Sequence, residues 1–533
     1  MMMNANGQRQ KARFTIPKYA VIAYLTIFSI GAQYFINLSY LLGQIPIQDS
    51  FAYGEYGVII PTVLSYLAFA TFLVIGPSIA RKIGLRNMYV GFVSLLLLGT
   101  ITDFLSPGSW WFTVGRLLQG AGAGALYMVM VPLVAVLIPT KHRNWFIFII
   151  LSGLFGATGL GGIFGGLSLT IDTWRWLFTL AAILVASCLI LGFIVLPKQK
   201  PATSPALDKV GIFMLFLIGT VLVFPLVNIQ HWGLYSVKVW PFFALAIGLY
   251  IWFAAWESSV PNPILPFRLL AAPKPFFGTI MAAAANVAVT CSVVGISGYL
   301  INVDQVHFFT LAKFFIGFFV GTVVSGAISS WLYDKIGAGP LGALASIGIM
   351  YVGLNWNHMG NGTSLVTLAW QLGILGMSFG IVLVTGSLGG TLAANDISEL
   401  ANLSMGMQYI RNVFSAFGSP ILGWAIIKYT AVHYAQLQSR ALSGSPYALA
   451  KLNQWTNQFS QRLDPQDAKA MAYSLFANQA QTASQLFAYQ GLFTILLILG
   501  LIMLVGSIGM SVTGKGLSIA QEEDPLVGLF PIN

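Results

Sequence analysis

Long runs of uncharged, apolar residues follow one another along this 533-residue chain. A helix needs about 20 such residues to cross the hydrocarbon core of a bilayer. The runs are continuous and lack the alternation, over about ten residues, that is typical of barrel strands. They predict fourteen transmembrane helices, at residues 19–42, 57–80, 87–106, 110–138, 145–170, 174–196, 210–230, 238–256, 276–301, 308–332, 338–356, 364–393, 404–428 and 487–511. The predicted fold class is therefore an all-α protein embedded in a lipid bilayer.

Charged residues make up only 8% of the chain, whereas about 25% is usual in a soluble protein. This composition excludes a soluble enzyme, and the 57% of apolar residues excludes a disordered protein. The formal net charge of +11 comes from short, scattered basic clusters, so nucleic acid is not expected as a partner. The two cysteines, Cys188 and Cys291, lie inside apolar runs and are expected to pack between helices. The sequence indicates no cofactor and no metal site.

The loops between the runs differ in charge on the two sides of the membrane. Cytoplasmic loops are enriched in Lys and Arg. Placing the N-terminus inside puts sixteen basic residues on the cytoplasmic side, against Arg175 and Lys238 in short outer loops. The sixteen are Arg9, Lys11, Arg13, Lys18, Arg81, Lys82, Arg86, Lys141, Arg143, Lys198, Lys200, Lys209, Arg268, Lys274, Lys335 and Lys515. Both termini are therefore predicted to be cytoplasmic.

The order of the runs favours two six-helix bundles joined by two additional helices. Residues 81–84 (RKIG) follow the second run, and residues 334–337 (DKIG) follow the tenth. Two helices inserted between the bundles would place these tetrads at equivalent positions, as in transporters built from internal repeats. The predicted organisation is a tail at 1–18, a bundle at 19–196, two linking helices at 210–256, a second bundle at 276–511 and a tail at 512–533.

A polar segment at residues 429–486 separates the last two predicted helices on the outer face. It is rich in Gln, Asn, Ser and Ala, and is interrupted at residues 444–446 and 464–465. Three interpretations remain open: small helices that cap the outer mouth, a docking surface for a partner, or a poorly structured loop. The apolar spacing in 466–488 indicates helix in that part.

Four motifs resemble those of a known transporter family. Residues 116–122 (RLLQGAG) match an Arg-x-x-Gln-Gly motif, and residues 334–337 match a loop motif Asp-Lys/Arg-x-Gly. Residues 161–166 (GGIFGG) resemble Gly-Pro-x-x-Gly-Gly, and residues 174–178 (WRWLF) are close to Trp-Arg-Trp-Ile-Phe. On these motifs the chain resembles the major facilitator superfamily, and within it the fourteen-span drug:proton antiporter branch of Emr-like and Qac-like pumps.

The resemblance implies a transporter that rocks two six-helix bundles around a site near the middle of the membrane. It also implies coupling to protons, a location in the inner (plasma) membrane and a periplasmic adaptor protein that docks on the outer polar segment. The loop and glycine motifs are implied to gate the conformational change through Arg81, Lys82, Gly84, Gly161, Gly162, Gly165, Gly166, Asp334, Lys335 and Gly337. Two of these depart from the family pattern, since Arg81 replaces an acid and Gly162 replaces a proline.

Few charges lie inside the predicted helices, where each costs about 2.5–3.5 kcal/mol. The resemblance implies a coupling role for Arg116, and a structural pairing with Asp103 is the alternative. Lys313 either extends its stem to the outer surface or faces the cavity. Arg411 either anchors the cytoplasmic end of its helix or belongs to the site. Asp103 and Glu257 lie near helix ends, where water is close, and are expected to be interfacial. Asp103 is also the one remaining candidate for a carboxylate proton relay.

Carboxylates are missing where the resemblance would place them. The branch carries an acid about nine residues before the proline that ends its first span, and the corresponding residue here is Asn37. An amide cannot carry a proton as a carboxylate does. The substrate or coupling site is predicted to contain Tyr34, Asn37, Arg116, Gln119, Lys313, Trp370, Gln371, Gln408, Tyr409 and Arg411, with helix packing as the alternative role for the aromatic residues. Such a site favours neutral or anionic solutes over cations.

These observations predict a secondary transporter that exports a small organic solute by alternating access, driven by the proton gradient. Uptake of an anionic metabolite is one alternative. A scaffold or receptor that kept the fold without transporting is another, and the missing acids agree with it, whereas the intact motif at 116–122 argues against it. An enzyme is not expected, because no catalytic constellation of His, Asp, Glu, Cys or Ser is evident.

Overall fold

The structure is a computed structural model that describes residues 18–51, 57–137, 143–171, 173–198, 208–261, 263–360, 362–394, 397–442 and 446–514. Its helices are α1 (Lys18–Leu42), α2 (Gln44–Phe51), α3 (Ile59–Ile83), α4 (Leu85–Leu105), α5 (Ser109–Leu137), α6 (Arg143–Thr170), α7 (Arg175–Val195), α8 (Lys209–Trp232), α9 (Trp240–Ser259), α10 (Phe267–Leu270), α11 (Pro273–Asn302), α12 (Phe308–Ile336), α13 (Ala338–Asn357), α14 (Leu365–Thr391), α15 (Ile397–Leu442), α16 (Pro446–Phe459) and α17 (Pro465–Val512). Apart from Lys18 and residues 512–514, the two predicted tails lie outside the described residues.

Fourteen of these helices are long and apolar enough to cross a membrane, namely α1, α3 to α9, α11 to α15 and α17. Each coincides with one predicted run, so the prediction of an all-α membrane protein with fourteen spans is confirmed. Because fourteen is an even number, α1 begins and α17 ends on the same face of the protein. We call this the terminal face, and the opposite one the far face.

The helices pack closely through small residues. In the first half of the protein, by which we mean α1 to α7, α5 lies against α3, and an ideal Cβ built on Gly120 or Gly124 would collide with the backbone of Ser65 or Phe69. In the second half, by which we mean α11 to α17, a Cβ on Gly376 of α14 would collide with the backbone of α12. Lipid supplies no hydrophobic drive between helices, so such close backbone approach is a main source of packing energy.

The two loop tetrads end their helices in the same way. Gly84 has φ 84° and its N–H donates to Ala80 O at 2.9 Å, while Gly337 has φ 91° and its N–H donates to Tyr333 O at 2.8 Å. Both glycines stand at a hairpin on the terminal face, between α3 and α4 and between α12 and α13. A positive φ combined with an extended ψ is accessible almost only to glycine, so this residue type is required at both turns.

The linking helices α8 and α9 pack against each other, and α8 also contacts α3 and α15. Gln230 of α8 donates to Pro420 O at 3.3 Å, and the hydroxyls of Tyr250 and Tyr409 lie 2.9 Å apart. Glu257 of α9 is buried and accepts a hydrogen bond from Leu265 N at 3.0 Å. The expectation that Glu257 is interfacial is wrong, because this carboxylate holds the chain segment that leads into α10.

The described part of the outer polar segment is helical apart from the turn at residues 460–464. α15 has 46 residues and α17 has 48, which correspond to about 69 and 72 Å, against about 30 Å for the hydrocarbon core. Most of the segment therefore continues the last two spans beyond the far face, and α16 packs on α17, with ring centroids of Trp455 and Phe476 6.5 Å apart. The interpretation as a poorly structured loop is wrong for these residues. We call residues 429–442, 446–459 and 465–486 the outer arm.

Candidate functional site

A cavity lies between the two halves of the protein. Its walls come from α1, α3 and α6 of the first half and from α11, α12, α14 and α15 of the second. Its volume is about 90 Å³, whereas ligand pockets usually have about 300–1,000 Å³. In this conformation the cavity is therefore too small for a solute of ordinary size.

Arg411 is the single charged residue among the described residues that line this cavity, and none of the lining residues is a carboxylate. It is 4% exposed, and its Nη2 donates to the hydroxyl of Tyr34 on α1 at 2.9 Å. Its guanidinium also lies 5.9 Å from the ring centre of Tyr127. Arg411 is fourteen residues into α15, about 21 Å from the helix start. The alternative role as an anchor at the helix end is therefore wrong, because the side chain is buried between the halves.

Three predicted residues form one polar network beside the cavity. Arg116 is buried; its Nη1 donates to Gln119 Oε1 and its Nη2 to Asn37 Oδ1, both at 2.7 Å. Gln33 Nε2 donates to the same Asn37 oxygen at 3.0 Å and to Ser65 Oγ at 2.8 Å. Asn37 and Gln33 line the cavity, whereas Arg116 and Gln119 stand behind them. The network therefore connects an internal cation to the cavity wall through an amide.

The other five predicted site residues, namely Trp370, Lys313, Gln371, Gln408 and Tyr409, do not line this cavity. Trp370 is 74% exposed on the outside of α14, and Lys313 is exposed, with its Nζ 4.5 Å from the ring centre of Phe309. Gln371 accepts a hydrogen bond from Trp356 Nε1 at 2.8 Å, and Gln408 is buried outside the cavity wall. Consecutive helical residues point about 100° apart, so Trp370 and Gln371 cannot both face one site.

Several polar residues of the cavity wall were missed by the sequence analysis. Asn286 and Thr290 lie one turn apart on α11, and Asn412 and Ser415 follow Arg411 on α15. The pattern that could have identified them is the recurrence of uncharged polar residues at three- and four-residue spacing inside otherwise apolar helices.

The glycines of α6 form two separate contact faces. An ideal Cβ on Gly165 would lie 2.9 Å from Ser39 O, and one on Gly161 would collide with the Phe35 backbone, both on α1 of the same half. A Cβ on Gly162 would lie 2.5 Å from the Phe315 ring, and one on Gly166 would lie 2.8 Å from Ala312 Cα, both on α12 of the other half. Two of the four glycines therefore set the spacing between the halves.

The charged residues of the two tetrads lie at the terminal face. Arg81 Nη2 donates to Ser78 Oγ at 3.1 Å, and Lys82 and Lys335 are exposed. Asp334 is half-buried at the end of α12. None of these side chains lines the cavity. If they affect transport, they act at the hairpins between α3 and α4 and between α12 and α13.

Residues 23–423 match the sequence profile of the Major Facilitator Superfamily. The chain belongs to this superfamily. Among its relatives is an uncharacterized MFS-type transporter, YubD of Bacillus subtilis, 26% identical over 410 residues that cover 76% of this chain and 79% of the relative. The quinolone resistance protein NorB of Staphylococcus aureus is 26% identical over 254 residues, which cover 47% of this chain and 53% of NorB.

The fold agrees with this assignment. The crystal structure of the human organic anion transporter MFSD10 superposes with a TM-score of 0.55 at 13% identity, covering 91% of this chain and 100% of that one. At this identity the likeness concerns the fold alone. The superfamily and the relatives are transporters and not enzymes, and this protein is accordingly a multi-pass membrane transporter of small solutes.

Proposed function

We propose that this transporter exports a small neutral or anionic organic solute by alternating access. The observation that carries this proposal is the charge of the cavity wall, where Arg411 is accompanied by amides, hydroxyls and aromatic rings and by no described carboxylate. A cation placed beside Arg411 would be repelled at low dielectric, whereas an anionic group would be attracted. Neutral polar solutes can bond to the amides of Asn286 and Asn412.

The guanidinium of Arg411 is suited to recognise an anionic group. Its Nη2 is engaged by Tyr34, while its Nε has no acceptor among the described residues. A buried guanidinium with a free donor gains most from a planar anion such as a carboxylate, which accepts two parallel hydrogen bonds. We therefore propose that a carboxylate-bearing solute is held between Arg411 and the polar residues of α11.

Export as the direction rests on the relative NorB, which is named for quinolone resistance. We propose the proton gradient as the energy source, because the glycine motif at residues 161–166 resembles that of antiporters and two of its glycines, Gly162 and Gly166, lie at the interface between the halves. The excess of basic loop residues supports cytoplasmic termini and insertion in the plasma membrane. In this orientation the outer arm extends outward.

Asn37→Asp is expected to shift substrate preference from anions to cations. The new carboxylate would lie in the cavity wall next to Arg116, and would repel an anionic solute while attracting a cation. We expect the ratio of ethidium to nalidixate transport, measured as initial rates in inside-out vesicles, to rise at least about tenfold, equivalent to about 1.4 kcal/mol. Nalidixate is a quinolone anion without a basic amine.

Asn355→Asp is the matched control, because Asn355 is exposed on α13 and lies outside the cavity. The same acid is introduced there without changing the cavity charge, so the wild-type ratio should be retained. An Asn37→Asp protein with the wild-type ratio would contradict the proposed charge selectivity. If the wild type transports neither probe, the uptake and scaffold interpretations are preferred.

We further propose that the outer arm binds a periplasmic adaptor protein. Leu449 of α16 and Met471 and Tyr473 of α17 are exposed on the arm, in a part of the chain too long to be covered by lipid. Replacing residues 443–464 with a short glycine-serine linker is expected to leave norfloxacin transport in proteoliposomes unchanged. The same variant should lower norfloxacin export from intact double-membraned cells several-fold, measured as accumulation. Equal export from cells by both proteins would remove the adaptor from the proposal.

A further inference from the structure

Asp103 is a buried carboxylate that neither the packing nor the cavity accounts for. It lies two residues before the far-face end of α4 and is 0% exposed. Neither of its oxygens receives a hydrogen bond among the described residues. The expectation that Asp103 is an interfacial residue is therefore wrong. A permanently ionised carboxylate without donors is costly to bury, so this residue needs another explanation.

The packing around Asp103 places one positive group beside it. An ideal Cβ on Gly115 of α5 would lie 2.8 Å from Asp103 Cγ, so only glycine allows α5 to approach this closely. The next residue, Arg116, attracts Asp103 electrostatically. Two opposing influences thus act on the carboxyl group, because the absence of water favours the neutral form and the guanidinium favours the charged one.

Other titratable groups on the neighbouring helices act elsewhere. Arg175 of α7 is bound to the carbonyl oxygens of Phe104 and Ser106, where it holds the end of α4. Tyr66 of α3 interacts with Arg116 and Arg411. Cys188 of α7 interacts with Tyr89, fourteen residues away from Asp103 along α4. Arg116 is therefore the charged group through which Asp103 can act on the rest of the protein.

Arg116 connects this carboxyl group to the cavity. Its guanidinium donates to Asn37 in the cavity wall and to Gln119, and not to Asp103. This arrangement is the one expected when the carboxyl group is neutral, because an ionised carboxylate is a stronger acceptor for a guanidinium than an amide oxygen is. Ionisation of Asp103 would draw Arg116 away from the Asn37 oxygen, which would keep its hydrogen bond from Gln33 and gain one acceptor position for a solute.

We propose that Asp103 is the group that takes up and releases the transported proton. A proton from the far-face side binds one carboxylate oxygen of Asp103, and Arg116 then bonds to Asn37. Loss of that proton returns Arg116 to Asp103 and frees one acceptor position of Asn37, so that proton and solute compete for binding, as exchange in opposite directions requires. This inference rests on the proposed proton-driven export. It places the proton-binding acid on the third span, whereas the resembling transporters carry it on the first.

The first test measures protonation without any substrate. Infrared spectra of the purified transporter in lipid, recorded as the pH is raised from about 5 to about 9, should show the loss of a protonated carboxylic acid band. Asp103→Asn should weaken that band and leave only the contribution of Glu257, the other buried carboxyl group among the described residues, while Asp467→Asn, which changes an exposed aspartate of the outer arm, should retain the whole band. A titrating band of equal size in the wild type and in Asp103→Asn would overturn the proposal.

The second test measures coupling in proteoliposomes with norfloxacin as the probe. Asp103→Asn should lower transport driven by a pH gradient at least about tenfold, and norfloxacin exchange without a gradient should lose its dependence on pH, because the neutral side chain keeps Arg116 on Asn37. Gradient-driven transport at the wild-type rate would overturn the proposal. If the wild type does not move norfloxacin, the proposed function fails for this solute, and the infrared comparison alone decides the role of Asp103.

Discussion

Gly166→Leu is expected to reduce transport at least about tenfold while the protein still inserts and folds. Gly166 faces α12 of the other half, and a side chain there meets the backbone of Ala312, which cannot rotate away. The two helices would have to separate, and overpacking of this kind costs about 1–3 kcal/mol. That cost falls on the conformer in which the far ends of α6 and α12 touch, so its population drops about 5- to 150-fold.

The measurement combines transport with a distance between the halves. Norfloxacin transport in proteoliposomes reports the rate, and spin labels at Ile171 and Phe309, which are exposed near the far ends of α6 and α12, report the separation. The native cysteines Cys188 and Cys291 are buried, so labels should attach at the introduced sites. We expect the distribution of label distances to shift to longer values in Gly166→Leu.

Gly91→Leu is the matched control. Gly91 is exposed on α4, and no atom lies within 4 Å of an ideal Cβ at this position. The same substitution there should leave both the rate and the label distances unchanged. Wild-type transport by Gly166→Leu would show that the contact between α6 and α12 does not limit the transport cycle.

Arg411→Met is expected to weaken norfloxacin binding at least about thirtyfold. Norfloxacin carries a carboxylate, and a hydrogen bond to a charged group is worth about 1.5–3 kcal/mol, of which about 2 kcal/mol corresponds to thirtyfold in affinity. Arg411→Lys retains the charge but not the planar pair of donors, so an intermediate loss is expected. Titration calorimetry with the transporter in lipid nanodiscs measures both affinities.

Two controls separate charge recognition from a general loss of structure. Tyr34→Phe removes the hydroxyl that Arg411 bonds while leaving the guanidinium in place, so norfloxacin affinity should fall far less than in Arg411→Met. The methyl ester of norfloxacin lacks the carboxylate and keeps the cationic amine, so its affinity should not fall on Arg411→Met. Equal losses for the acid and the ester would contradict a direct contact between Arg411 and the carboxylate.

The structure places the predicted site residues differently from one another, for a reason that is specific to membrane helices. Asn37, Arg116 and Gln119 were proposed from a motif and from a missing acid, and the structure brings them together in one network. Trp370 and Lys313 were proposed on residue type alone, and they face outward. In lipid, the outside of a helix bundle is as apolar as its inside, so residue type says little about which way a side chain points.

The number of membrane-spanning helices and the membrane class were determined by the sequence, because the bilayer sets the length of every apolar run. The same is true of the excess of cationic over acidic groups, which is a property of composition. Tertiary structure alone decided which polar residues meet: it buried Arg411 opposite Tyr34 and placed Asp103 beside Arg116. These side-chain contacts depend on how each helix is rotated about its axis. Close contacts between glycines and the neighbouring backbones set that rotation.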